Sequence, residues 1–108
     1  MKKAVFAAAL AAAATMTMSS AFAAEDMLAL AKSKNCLACH AVDKKLVGPS
    51  YQDVAAKYAG KPGAVDTLSK AILHGVSGVW GPVPMPANPQ VTPAQAKQLA
   101  EWVLSLKK

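Results

Sequence analysis

Residues 36–40 read CLACH, that is Cys36, Leu37, Ala38, Cys39 and His40. Two thiols three positions apart on a short helical segment can add to the two vinyl groups of one porphyrin. The adjacent His40 then points its imidazole at the iron. C-x-x-C-H is therefore read as a site of covalent c-type haem attachment, with Cys36 and Cys39 as thioether anchors and His40 as an axial ligand. Covalent tethering also suits an exported protein, because the cofactor cannot be lost by dilution.

Three other chemistries use some of the same residues. A structural disulfide between Cys36 and Cys39 explains neither His40 nor the long loops described below. A thioredoxin-like redox pair expects strands and βαβ patterning, which are missing from this chain. Zinc could draw on Cys36, Cys39, His40 and His74. Adjacent Cys39 and His40 nevertheless fit poorly with the paired ligand spacing of zinc sites.

Outward from the motif, the chain opens MKKAVFAAALAAAATMTMSSAFA. Lys2 and Lys3, the apolar run Ala4 to Ala14, and Ala21-Phe22-Ala23 have the layout of a secretory signal peptide. The apolar run is too short to span a bilayer, so a membrane-embedded protein is not expected. Residues 1–23 are thus read as a cleaved leader ending near Ala23 or Ala24, and 24–108 as one domain exported to the periplasm. A domain of about 84 residues has room for only a modest core and usually needs a cofactor, metal or disulfide beside it.

Loss of Lys2 and Lys3 leaves ten lysines against six acids, with no arginine. Nucleic-acid readers rely on arginine for bidentate contacts, so the charge favours an acidic protein partner over DNA or RNA.

The mature region is expected to be helical. In AEDMLALAKSK, acids open the segment and Lys32 and Lys34 close it, as a helix dipole favours. GPSYQDVAAKYAG places Tyr51, Val54, Ala55 and Tyr58 at helical spacing before Gly60. GAVDTLSKAILHG carries Val65, Leu68, Ile72 and Leu73 and stops at Gly75. The last helix has a capping box, Thr92 and Gln95, and Pro93 at its first position. Ala96, Leu99, Ala100, Val103 and Leu106 then form a stripe to the C-terminus. Two long loops, residues 40–49 and 76–91, separate these helices, and long ordered loops usually serve a site.

The second loop contains WGPVPMPANP, residues 80–89, with Met85 between Pro84 and Pro86. Prolines at this density forbid helix and central strand. Met27, only nine residues before Cys36 and within a helix, reads as core packing. Met85 lies forty-five residues after His40, far enough to return across the opposite haem face. Its stiff support would hold the sulfur there at little entropic cost. Met85 is accordingly assigned as the second iron ligand, with His74, at a helix end, as the rival.

Taken together, NCLACHAVDKKLVGPSYQDVAAKYAG, GVWGPVPMPANP and LAEWVLSLKK resemble the small bacterial class I cytochromes c of the c-551 type. The resemblance implies an all-α fold of about four helices wrapped around one haem, with N- and C-terminal helices crossing. It implies that the Pro49 carbonyl holds the far nitrogen of His40, that Trp80 donates to a haem propionate, and that Asn88 hydrogen-bonds near the Met85 sulfur. The expected function is one-electron transfer between respiratory redox proteins through a His/Met-ligated haem c, by a monomer that is not an enzyme. Relatives of this kind serve nitrite reductases, peroxidases or terminal oxidases. Lys34, Lys44, Lys45 and Lys61 are candidates for steering an acidic partner. The contrasting reading is a haem peroxidase or gas-binding protein with an open distal site.

Two positions depart from the pattern. Ala31 stands where relatives place an aromatic residue facing the C-terminal helix, which puts the helix crossing in doubt. Ala71 replaces a basic residue near a propionate.

Overall fold

The structure is a computed structural model and describes residues 24–107. The expected leader over residues 1–23 lies outside the described residues. Among the described residues there are four α-helices, α1 (Ala24–Ser33), α2 (Tyr51–Tyr58), α3 (Ala64–His74) and α4 (Pro93–Leu104), with a 3-10 turn at Cys36–Ala38. Among the described residues the only extended pairing is an isolated antiparallel bridge between Val76 and Met85. The all-α expectation holds.

Each boundary has a local cause. Asn35 adopts a left-handed conformation (φ 68°) between α1 and the 3-10 turn, one of the few non-glycine residues that does so at low cost. Ser50 caps α2, its Oγ accepting from the Asp53 backbone N–H at 3.0 Å. At α4 the capping box is complete: Gln95 N–H donates to Thr92 Oγ1 and Thr92 N–H to Gln95 Oε1. This helix ends at Leu104, before the last residue of the apolar stripe. Ser105 Oγ donates to the Trp102 carbonyl at 2.6 Å, competing with the helical ladder there. Leu106 still packs against the core from beyond the helix.

Helices α1, α2 and α3 all pack on α4. The buried cluster joins Met27 and Ala31 of α1, Tyr51 and Val54 of α2, and Ala96, Leu99, Trp102 and Val103 of α4, with Val91 from the second loop. Met27 is core packing, as expected. Ala31 is fully buried, so α1 stays seated on α4 without the aromatic side chain. Tyr51 and Trp102 supply aromatic bulk in the same cluster, meeting edge to face at 5.5 Å between centroids. Trp102 lies outside the stripe read from the sequence. With three helices packed on it, α4 buries a wider arc than a one-sided pattern indicates.

Candidate functional site

One large cavity, about 690 Å³, opens between the two long loops and the inner faces of α2, α3 and α4. Cys36, Cys39, His40, Pro49, Trp80, Met85 and Asn88 all contribute to its lining. Its apolar wall includes Val54, Leu68, Ile72, Leu99 and Val103. This volume falls within the range of sites that enclose a cofactor-sized molecule, roughly 300–1,000 Å³.

His40 is held from three directions. Its Nδ1 lies 2.8 Å from the Pro49 carbonyl oxygen. A carbonyl can only accept, so in the neutral ring Nδ1 carries the proton and Nε2 keeps its lone pair. The ring stacks on Tyr51 at 5.0 Å between centroids. On another side is Gly48: a Cβ there would stand 2.7 Å from His40 Cε1 and 3.0 Å from Nδ1. Backbone bonds fold the first loop over the motif, from Gly48 N–H to the Cys39 carbonyl at 2.7 Å and from Tyr51 N–H to the Ala41 carbonyl at 2.9 Å. Neither Gly48 nor the Ser50 cap is among the residues picked out from sequence. The Ser-x-x-Asp spacing could have revealed the cap; nothing local reveals the approach of His40 to Gly48.

Both thiols are free and half-buried. Burial pushes the Cys36 thiol up from its ordinary value, and a hydrogen bond with the Tyr51 side chain partly offsets this. Burial, and then the charge a Cys36 thiolate would carry, hold the Tyr51 hydroxyl well above the usual tyrosine range. Burial thus disfavours a Cys36 thiolate, the opposite of the electropositive setting that activates a redox C-x-x-C pair. Among the described residues no three His, Cys, Asp or Glu side chains converge as a metal-binding group.

Met85 is held through its backbone. It exchanges both bridge bonds with Val76, at 2.8 and 3.0 Å. Gly75 ends α3 with φ at +83°, and a Cβ there would lie 2.7 Å from the Met85 carbonyl oxygen. Only glycine combines that conformation with that proximity. Asn88 binds α3: its Nδ2 donates to the Ile72 carbonyl at 2.9 Å and its backbone N–H reaches the same oxygen at 3.1 Å. The other hydrogen of its amide is directed to the Pro86 carbonyl at 3.4 Å. Asn88 thus fastens the Met85 loop to α3.

Trp80 is partly exposed at the cavity, with Lys57 Nζ 5.3 Å from its ring centroid. Ala71 lines the cavity without a charge, and His74 also reaches it from the end of α3. Lys44 and Lys45 are exposed on the first loop and Lys61 beyond α2. Lys34 differs: it is half-buried, and its ammonium donates to the Gln90 carbonyl at 3.1 Å. It is therefore a poor member of a steering patch.

The residues present fit a tetrapyrrole. Two free thiols and a ring nitrogen with its lone pair line one part of an apolar cavity, and a soft thioether lines another.

The comparisons with known proteins agree. Residues 24–107 match the family described as Cytochrome c. The chain is 63% identical over 84 residues to cytochrome c-551 of Stutzerimonas stutzeri, a match covering 78% of this chain and 80% of that one. It is 60% identical over 78 residues to cytochrome c-552 of Hydrogenobacter thermophilus, covering 72% and 79% respectively. The crystal structure of Nitrosomonas europaea cytochrome c552 superposes with a TM-score of 0.73 at 54% identity, over 74% of this chain and 99% of that chain.

Proposed function

This chain belongs to the cytochrome c family and carries covalently bound haem c with its iron, and from that premise we propose that it is a periplasmic one-electron carrier with His40 and Met85 as axial ligands. When bound, the haem supplies the Fe(III)/Fe(II) couple. Cys36 and Cys39 anchor the group. Pro49 accepts from His40 Nδ1, so the ring presents Nε2 in a fixed orientation with raised basicity. Met85 presents a soft, neutral sulfur, which with the apolar wall favours the less charged ferrous state and raises the potential. Trp80, which lines the cavity, would donate its indole N–H to a propionate.

The observation that carries this reading is the joint fixing of His40 and Met85, each by its own backbone partners, in the lining of one cavity. If His40 and Met85 both hold the iron, no coordination site would be left for substrate. The relatives named as cytochromes c-551 and c-552 support a small carrier rather than an enzyme.

Among the described residues no helix is long and apolar enough to cross a membrane. Export rests on the leader pattern of residues 1–23. Exposed Lys44, Lys45 and Lys61 suit an acidic redox partner in a brief encounter whose rate falls as salt rises.

Carbon monoxide tests the reading against an open-site haem protein. The ferrous carrier will not bind it rapidly, whereas Met85→Ala will. Rapid binding by the unaltered protein would overturn the assignment.

A further inference from the structure

At the edge of the cavity, a second set of polar contacts joins segments far apart in the chain. Lys34 stands two residues before Cys36, and Gln90 stands five residues after Met85. Gln90 Nε2 donates to the Lys34 carbonyl at 2.8 Å, and Lys34 Nζ donates back to the Gln90 carbonyl at 3.1 Å. The other hydrogen of the Gln90 amide is directed to Asn88 Oδ1 at 3.0 Å. Asn88 Nδ2 in turn donates to the Ile72 carbonyl on α3. Every donor in this chain meets an acceptor, so both amide orientations are fixed: a flipped Gln90 would set its oxygen against two others.

The Val76 bridge and the Asn88 bonds tie the Met85 loop to α3. The Gln90–Lys34 pair ties the same loop to the backbone that runs directly into Cys36. We propose that Gln90 is a positioning residue whose clasp on Lys34 locks the Met85 loop to the haem-attachment segment and so governs how readily Met85 leaves the iron. This rests on the His40/Met85 ligation reading. The contacts are solvent-exposed, so their loss leaves the buried cluster intact and favours local opening of the loop over global unfolding.

The test uses the haem-loaded protein, with Gln90→Leu and Thr92→Ala compared against the unaltered chain. Gln90→Leu keeps the side-chain bulk but removes both donors. Thr92→Ala removes the nearby cap of α4 without touching the clasp. Cyanide binds ferric haem only when Met85 is off, so its apparent affinity reports the open fraction.

Expected for Gln90→Leu is a gain in cyanide affinity of roughly threefold to tenfold, what one ordinary net hydrogen bond accounts for, with helix melting little changed. Expected for Thr92→Ala is the reverse: lower melting and unchanged cyanide affinity. If both variants change affinity and melting in proportion, or Gln90→Leu changes neither, the clasp is overturned while the ligation reading stands. If the unaltered ferric protein lacks the far-red band of methionine sulfur on iron, the ligation reading falls and this inference with it.

Discussion

The loop over residues 40–49 and the loop over 76–91 both line the cavity, yet they are fixed in different ways. The first is short and closes on itself. Gly48 bonds back to Cys39, Pro49 accepts from His40, and Ser50 at once starts α2. His40 is clamped by residues within about a dozen positions, and Tyr51 leads from the ring into the core. The second loop is longer, rich in proline, and depends on partners elsewhere: Val76 across the bridge, Ile72 through Asn88, and Lys34 through Gln90. Prolines limit what such a loop can do but supply no donors, so its position comes from a few hydrogen bonds and the backbone contact with Gly75. The comparison teaches that the imidazole side is fixed by close packing and the sulfur side by discrete ties. Perturbing the first should damage the whole site, whereas perturbing the second should loosen Met85 alone.

Gly48→Ala tests the packed side and carries the largest expected effect on haem attachment. Its Cβ has no room unless the His40 ring moves, and that ring is held by both Pro49 and Tyr51. Overpacking of this kind costs about 1–3 kcal/mol. Covalent haem yield on expression and the denaturation midpoint should both fall. An unchanged yield and midpoint would mean that the first loop yields as easily as the second.

Gly75→Ala tests the tied side. A non-glycine residue at φ +83° and ψ 168° against the Met85 carbonyl should cost about 1–3 kcal/mol. Most of the effect should appear as easier displacement of Met85, read by cyanide titration of the ferric protein, with haem yield preserved. A variant that loses its haem instead would erase the distinction between the loops.

Ser69→Ala is the smallest change and serves as a control on α3. The Ser69 hydroxyl is buried without a hydrogen-bond partner, so its removal leaves no group unsatisfied. Thermal melting should be unchanged or slightly raised, by no more than about 1 kcal/mol, with the ligand equilibrium unaffected. A marked loss of stability would show that the hydroxyl has a partner in solution.

Much of this was legible in the sequence because the relevant signals are local. CLACH declares its chemistry within five residues, and Thr92, Pro93 and Gln95 declare a helix start within four. The Met85 loop is visible because proline excludes the alternatives. What stayed hidden depends on contacts between distant residues. Gly48 looks like any loop glycine until the His40 ring lies against it. Gln90 looks like a surface amide until Lys34 comes within reach. Trp102 fell outside a stripe drawn for one partner because α4 has three. Ala31 raised a doubt that packing resolves, since the aromatic bulk of the core comes from Tyr51 and Trp102.

The central claim is that one cavity presents His40 and Met85 to the same iron. The most direct measurement is the far-red absorption of the ferric protein, compared with that of Met85→Ala. A methionine-sulfur band in the unaltered protein that vanishes in the variant is the predicted result. If the band is missing from the unaltered protein, or persists after the substitution, Met85 is not the ligand and the claim is contradicted.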